Sequence, residues 1–252
     1  MTRAKHHHPH YEQSGKGNFD MAYHLEMVSD YERVSLFKKG IDKLIKKDTI
    51  FCELGCGTGI FSIYAAHKAK KVYAVEYDEN IYEIAKQNIE KSGVANKVEL
   101  IYGDASIIQL SEKVDVVFCE MLSIWMIEEP QVLVMNHALE NLLKPNGITI
   151  PARVINLAEL CHVDYVFDDV ELKASITQFT GKEHPRIMTE SKVFNEISFK
   201  DVNSREISNK IEFNILTSGI INSVRLSSIC KIAEGINFYS TDTMLPLTIV
   251  PL

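Results

Sequence analysis

The chain lacks any apolar run long enough to span a membrane, and it has few cysteines. Residues 1–20 also lack the apolar core of a signal peptide, so we expect a cytoplasmic protein with no membrane partner. The five cysteines are odd in number and lie mostly in apolar segments, which indicates buried free thiols in a reducing compartment. Cys52 and Cys56 form a CxxxC pair with no second pair nearby, so we predict no metal site.

The chain also lacks an excess of positive charge, with 27 Lys and Arg against 34 Asp and Glu. The formal net charge is −7 and the basic residues are scattered, which argues against a dedicated nucleic-acid surface and leaves only a local patch for an RNA substrate. Hydrophobic residues make up 46% of the 252 positions, enough for the core of one large domain or two small ones. We predict a flexible tail at 1–18, whose histidine cluster at 6–10 takes no part in catalysis.

The chain is organised around residues 51–60, FCELGCGTGI. An apolar strand runs into Gly55, Gly57 and Gly59, and a helical pattern follows, which is the opening unit of a nucleotide-binding α/β domain. The spacing is G-x-G-x-G rather than G-x-G-x-x-G, and no P-loop lysine follows. The turn therefore favours an uncharged or cationic group over a pyrophosphate.

Strands and helices alternate on both sides of this turn. A helical region at 21–47, with a capping box formed by Ser29 and Glu32, precedes the first strand. We predict strands at 49–54, 71–76, 97–102, 114–120 and 148–150, and helices at 58–69, 79–91 and 131–143. Residues 144–147 form a turn. This alternation predicts a Rossmann-like, doubly wound and mostly parallel sheet over 19–150.

The chain changes character after residue 150. Segments at 154–160, 211–215, 224–230 and 247–250 alternate or run β-branched, and Gly, Asn and Ser turns separate them. Helical signals are few in this half, and we predict one helix at 167–179. Residues 151–252 are therefore predicted to form a smaller β-rich domain, an antiparallel sheet or small barrel that serves the substrate or oligomerisation.

Acidic residues follow three successive strands. Glu53 and Glu76 end the first two strands, and Asp104 stands with Ala105 in the loop after the third. Glu76 has the spacing expected of a ribose-binding carboxylate, and Asp104 suits an adenine amino group. Acids near the glycine turn repel a pyrophosphate and attract a sulfonium, so we predict S-adenosylmethionine rather than NAD. The alternative is that these acids only cap strand ends.

Three motifs resemble a known family. ELGCGTG with the acid-ended second strand resembles class I methyltransferases, and HLEMVSDYERV at 24–34 resembles a helix of the protein arginine methyltransferases. CEMLSIWMIEEP resembles that family's double-glutamate loop, here residues 120–129, although Met-Leu-Ser follows Glu120 where Trp-Met-Gly is commonest. LKPNGITIP resembles the start of the family's C-terminal barrel. The resemblance covers about residues 19–155.

The resemblance implies a protein arginine N-methyltransferase in which two glutamates orient the acceptor guanidinium. The implied catalytic residues are Glu120 and Glu129, which also bind substrate together with Trp125 and Met126. Arg33 matches the family arginine that pairs with the cofactor's carboxylate. The full set of predicted cofactor-binding residues is Arg33, Glu53, Gly55, Gly57, Glu76, Asp104, Ala105 and Glu120. A homodimer is compatible with the resemblance.

Simpler explanations stay open for several of these residues. Glu128 and Glu129 also suit the acidic start of a helix at Pro130, and Trp125 also suits simple packing. The acceptor could instead be a small molecule, another protein side chain or RNA. An inert binding subunit on the same fold and a nicotinamide dehydrogenase are the remaining alternatives.

Overall fold

A computed structural model describes residues 21–178, 185–241 and 245–252. The predicted tail at 1–18, with its histidine cluster, lies outside them. The five cysteines are free and buried, as predicted from their apolar surroundings. Within the described ranges, no helix has the length and apolar character that a membrane crossing requires. In the same ranges, His, Cys, Asp and Glu side chains form no group of three or more that could hold a metal ion.

Two helices precede the first strand, α1 (Met21–Ser29) and α2 (Tyr31–Leu44). The predicted capping box of Ser29 and Glu32 is wrong, because Ser29 is the last residue of α1. Asp30 caps α2 instead, and its carboxylate accepts the backbone N–H of Arg33 at 3.0 Å. Asp is a strong N-cap because its short side chain reaches an N–H that the helix itself leaves unbonded.

The N-terminal half forms a five-stranded parallel sheet, as predicted. The strands are β1 (Ile50–Leu54), β2 (Lys71–Glu76), β3 (Val98–Tyr102), β4 (Val114–Cys119) and β5 (Leu143–Ile150). The helices are α3 (Ile60–Ala66), α4 (Glu79–Lys91) and α5 (Gln131–His137), the last continuing as a π-helix over Ala138–Leu142. The strand order β3-β2-β1-β4-β5 places β1 and β4 side by side at the point where the order reverses. Ligands of such sheets bind at this point, at the carboxyl ends of the strands.

The predicted turn at 144–147 interrupts the pairing of β5. Val114 pairs with Leu143 and Val116 with Ile148, so four residues of β5 are looped out against one residue of β4. Asn146 has a φ of 62° there, a conformation that Asn tolerates better than most residues. The strand is therefore longer than predicted, although the turn lies where the sequence indicated it.

The second half forms a seven-stranded antiparallel sheet. The long strands β6 (Arg153–His162) and β12 (Ser223–Ala233) pair at its centre. Around them lie β9 (Ile176–Thr177), β10 (Arg186–Ile187), β11 (Lys192–Ser198), β13 (Ile236–Tyr239) and β14 (Thr248–Pro251). A separate two-stranded hairpin joins β7 (Val166–Phe167) to β8 (Val170–Glu171).

Two predictions for this half are wrong. The segment 167–179 is not a helix in its described part, because Asp168 and Asp169 adopt φ angles of 47° and 65° and turn the chain into the β7–β8 hairpin. The segment 211–215 is not a strand, and only Ile215 forms an isolated bridge. There the Glu190 carboxylate accepts the backbone N–H of Asn214 at 3.1 Å, a donor that a strand would give to its neighbour.

One buried core runs from the parallel sheet into the antiparallel sheet. At its centre the Phe118 ring on β4 lies 5.3 Å from Phe37 of α2 and 4.9 Å from Phe61 of α3, measured between ring centroids. Helix α2 also contacts the β12–β13 hairpin, where the Lys43 ammonium donates to the Glu234 carbonyl at 2.6 Å. Helix α2 therefore packs against both sheets.

The contact between α2 and β12 depends on Gly40. A Cβ at this position would lie 2.5 Å from Cγ2 of Ile232. Gly40→Ala should therefore lower the free energy of unfolding by about 1–3 kcal/mol, the usual cost of overpacking, as measured by urea unfolding. Ser35→Ala, on the exposed side of the same helix, is the matched control and should be neutral. Equal stability of the two variants would contradict this packing.

Candidate active site

The glycine turn after β1 is tightly bent. Gly55 and Gly57 have φ angles of 74° and 53°, which side chains with a Cβ rarely adopt. A Cβ on Gly55 would lie 2.2 Å from Cε of Met121, and one on Gly57 would lie 3.0 Å from Nδ1 of His24. The turn thus lies against α1 on one side and the double-glutamate loop on the other.

Glu76 braces this turn from the end of β2. One carboxylate oxygen accepts the N–H of Gly57 at 2.8 Å, and the other accepts the N–H groups of Tyr77 and Asp78, each at 2.9 Å. A carboxylate offers about four acceptor positions, so three backbone bonds leave capacity for a hydroxyl. Glu76 therefore has a structural role, whether or not it binds a ribose.

Glu53 is buried at the end of β1, where it is only 2% exposed. The hydroxyl of Ser62 on α3 donates to its carboxylate. The pKa of Glu53 is raised to about 8: burial raises it most, hydrogen bonding by Ser62 lowers it, and the charges of Glu76 and Arg33 raise and lower it to a smaller extent. The carboxyl is therefore largely protonated near neutral pH in the cofactor-free protein.

Asp104 and Ala105 lie in the loop after β3. The Asp104 carboxylate accepts the backbone N–H of Ser106 at 2.8 Å and its hydroxyl at 2.7 Å. Ala105 is only 6% exposed and packs in the core. Both contacts shape the loop, and the predicted cofactor roles of these two residues stay predictions.

Arg33 connects the predicted cofactor residues to the predicted catalytic residues. Its guanidinium forms an ion pair with the Glu120 carboxylate, and both side chains are at most 10% exposed. A second guanidinium nitrogen donates to the Met27 carbonyl at 2.8 Å. The structure therefore brings Arg33 and Glu120 together at the end of β4, beside β1.

Glu129 lies at the far end of the double-glutamate loop, just before α5. Solvent still reaches part of its side chain, yet the pKa of Glu129 is raised to about 7, mainly by burial and to a smaller extent by the charge of Glu128. The charge of Arg33 opposes the shift. Because Arg33 acts on both Glu120 and Glu129, the two predicted catalytic carboxylates belong to one electrostatic cluster.

Trp125 and Met126 form the bend of the loop, with φ angles of 53° and 59°. The Trp125 indole N–H donates to the carbonyls of Leu157 and Ser227. The indole ring stacks on the Phe194 ring, with 4.2 Å between the ring centroids. This packing is the simpler alternative considered for Trp125. A substrate role for Trp125 or Met126 stays a prediction.

Comparisons with known proteins agree with this geometry. The family model for a methyltransferase domain matches residues 51–147. The uncharacterised protein MJ1452 of Methanocaldococcus jannaschii is 34% identical over 231 residues, which are 91% of this chain and 85% of that protein. Probable protein arginine N-methyltransferase 6 of Arabidopsis thaliana is 29% identical over 160 residues, which are 58% of this chain and 37% of that protein.

The chain is an S-adenosylmethionine-dependent methyltransferase with its methyltransferase domain at residues 51–147. It resembles the protein arginine methyltransferases. The fold agrees: the Trypanosoma brucei PRMT1 enzyme–prozyme heterotetrameric complex with AdoHcy superposes with a TM-score of 0.77. That match has 19% identity and covers 91% of this chain and 81% of that chain.

The cofactor of this methyltransferase is S-adenosylmethionine. The residues present fit it on two observations. Gly55 and Gly57 adopt positive φ angles that residues with a Cβ rarely adopt, so this turn forms a cradle of glycine backbone. The carboxylate of Glu76 also lies at that cradle. A methyltransferase needs such a backbone cradle because the bound nucleoside approaches the turn closely.

Sequence reasoning missed His24 and Ser62 as parts of this site. His24 lies against Gly57, and Ser62 holds Glu53. The motif that resembles the arginine methyltransferase helix begins at His24, so a signal was present for that residue. Ser62 has no such signal, because only the folding of α3 onto β1 brings it to Glu53.

The raised pKa of Glu53 predicts a pH-dependent stability in the cofactor-free methyltransferase. Below about pH 4.5 the carboxyl is protonated in both the folded and the unfolded state, and above about pH 8 it is ionised in both. Between these values only the unfolded state loses the proton, so the wild type loses stability as pH rises, by at most about 1.4 kcal/mol per pH unit.

Glu53→Gln removes this loss and keeps an oxygen for the Ser62 hydroxyl. The variant should therefore gain stability relative to the wild type between about pH 5 and about pH 8 in urea unfolding. Glu140→Gln, at an exposed position, is the control and should show no such gain. A difference that is constant across this pH range would refute the raised pKa.

Proposed function

We propose that this methyltransferase transfers the methyl group to a guanidino nitrogen of a protein arginine. The observation that supports this acceptor is the ion pair of Arg33 with Glu120. In this pair a carboxylate beside the glycine turn holds a guanidinium. The relatives named as arginine methyltransferases support the same acceptor.

The charges of the cluster favour a cationic acceptor. Glu120 and Glu129 bring two carboxyl groups, whereas Arg33 supplies one cation. The raised pKa of Glu129 means that the negative charge of its ionised form is only partly balanced by Arg33. A second guanidinium would balance this charge. Its planar array of five N–H donors also matches two carboxylates better than a compact ammonium group does.

A guanidinium also fits the chemistry of the transfer. The bound cofactor supplies a methyl group activated by a cationic sulfonium. Glu120 and Glu129 would fix the plane of the acceptor and draw its positive charge away from the attacking nitrogen. That nitrogen must lose a proton, and a carboxyl with a pKa of about 7 is suited to accept it near neutral pH.

The cofactor-binding roles rest on the same cluster. Arg33, with five donors, could hold a carboxylate of the cofactor as well as Glu120. Glu53, Gly55, Gly57, Glu76, Asp104, Ala105 and Glu120 complete the proposed set, and Trp125 and Met126 would form a wall of the acceptor pocket.

Glu129→Gln tests the catalytic role most directly. The amide keeps the shape of the side chain and removes its charge, so kcat/KM for an arginine-containing peptide should fall by about 100-fold or more. Affinity for S-adenosylmethionine, measured by calorimetry, should change little. Glu128→Gln is the matched control, because the Glu128 side chain is exposed; above about pH 7, where Glu129 is ionised, this variant should keep the kcat/KM of the wild type. Undiminished methylation by Glu129→Gln would reject the role.

The pH profile should follow the ionisation of Glu129. Because the carboxylate form is needed, kcat/KM should fall as pH drops below about 7. The Glu128 charge raises the pKa of Glu129, so Glu128→Gln should move this acid limb to lower pH. A limb that stays in place in Glu128→Gln would contradict the assignment of the limb to Glu129.

The acceptor itself is identified with labelled cofactor. An extract incubated with the enzyme and methyl-labelled S-adenosylmethionine should yield labelled methylarginine after acid hydrolysis of its protein. Label in RNA or in a small molecule, with none in protein, would replace the arginine proposal with one of those acceptors. Binding of the cofactor without any transfer would favour an inert subunit.

A further inference from the structure

We propose that Gln131 and Ser123 are positioning residues that hold the two glutamates of the double-glutamate loop in place. Gln131 would fix Glu120, and Ser123 would fix Glu129. The inference rests on the proposed function, because it concerns the same two carboxylates. Neither residue was singled out by the sequence, and neither side chain carries a charge.

Gln131 is the first residue of α5 and is fully buried. Its amide nitrogen donates to the Cys119 carbonyl at 2.9 Å, and its amide oxygen accepts the Met121 N–H at 2.8 Å. These two groups belong to the peptide bonds on either side of Glu120. One carboxamide therefore fixes both peptide planes that orient Glu120, much as a neighbouring strand would.

Ser123 performs the corresponding task at the other end of the loop. Its hydroxyl oxygen accepts the backbone N–H groups of Glu128 at 3.0 Å and of Glu129 at 3.1 Å. The outgoing half of the loop is thereby tied to the returning half. The arginine methyltransferases most commonly carry glycine at the position of Ser123, and glycine cannot form these bonds.

The loop needs such ties because its own backbone does not favour this shape. Trp125 and Met126, at the bend between Ser123 and Glu129, both adopt left-handed φ angles that are unfavourable for large side chains. Surrounding contacts must therefore hold the bend. The Trp125 contacts with Leu157 and Ser227 hold it from the antiparallel sheet, and the two polar side chains hold it from within.

Ser123→Ala removes the acceptor for both N–H groups and leaves every charge in the cluster. A looser Glu129 would gain contact with water, so its carboxyl should titrate at lower pH. We expect kcat for an arginine peptide to fall roughly tenfold, since a displaced catalytic group costs about this much or more. The acid limb of the pH profile should move to lower pH, and affinity for S-adenosylhomocysteine should stay within about twofold.

Two further variants separate positioning from stability. Ser123→Thr keeps the hydroxyl and should restore both kcat and the acid limb. Ser223→Ala removes an equally buried hydroxyl that bonds Tyr165 in the antiparallel sheet, and it should change stability only. If Ser123→Ala folds and retains the kcat and the acid limb of the wild type, the inference for Ser123 is wrong.

Hydrogen exchange of the wild-type protein tests both residues without any variant or acceptor. The amides of Met121, Glu128 and Glu129 lie outside helices and strands, yet they should exchange as slowly as bonded core amides. Exchange at the rate of an open loop would overturn the inference even if Ser123→Ala fails to fold. Gln131→Met, which loses both bonds, should release Met121 but leave Glu128 and Glu129 protected.

The proposed function and the positioning roles of Gln131 and Ser123 can be refuted separately. If the wild type methylates no arginine peptide, the proposed function fails, and the exchange of these three amides together with the titration of Glu129 by NMR still decides the positioning. If arginine is methylated but those amides exchange freely, the proposed function stands and the positioning inference falls.

Discussion

The ion pair between Arg33 and Glu120 connects the parts of the molecule that must act together. Arg33 comes from α2, which packs against both sheets, and Glu120 follows the strand beside β1. Both side chains are nearly excluded from water. In such a buried environment two opposite charges attract strongly, and either charge is costly to leave unpaired. The position of α2 is thus coupled to the carboxylates that the proposed reaction requires.

Around this pair the protein gathers more carboxyl groups than cations. Glu53 and Glu129 both have raised pKa values because burial penalises their ionised forms, and Arg33 lowers both values only in part. Such shifts cluster at functional sites, where burial and nearby charges match the pKa of a group to its task. The bound cofactor and a guanidinium acceptor would each bring a positive charge to this cluster.

The parallel sheet was predictable because its signals are local. Apolar strands, the glycine turn and the periodic helices lie in short stretches, and the three acids at the strand ends followed from the alternation itself. The predictions for 211–215 and 167–179 were wrong because the deciding features are not visible in the local pattern. The pattern of 211–215 is typical of a strand, but the Glu190 carboxylate bonds the N–H of Asn214. The pattern of 167–179 is typical of a helix, but Asp168 and Asp169 adopt left-handed φ angles.

The sequence by itself determined the fold class and the cofactor, because the spacing of the strand, glycine turn and helix is typical of nucleoside-binding domains. Only the tertiary structure decided what those residues contact. It pairs Arg33 with Glu120, buries Glu53 on Ser62, and ties the ends of the double-glutamate loop through Gln131 and Ser123. These contacts join residues on different elements or opposite ends of a loop, and such contacts depend on how the elements pack.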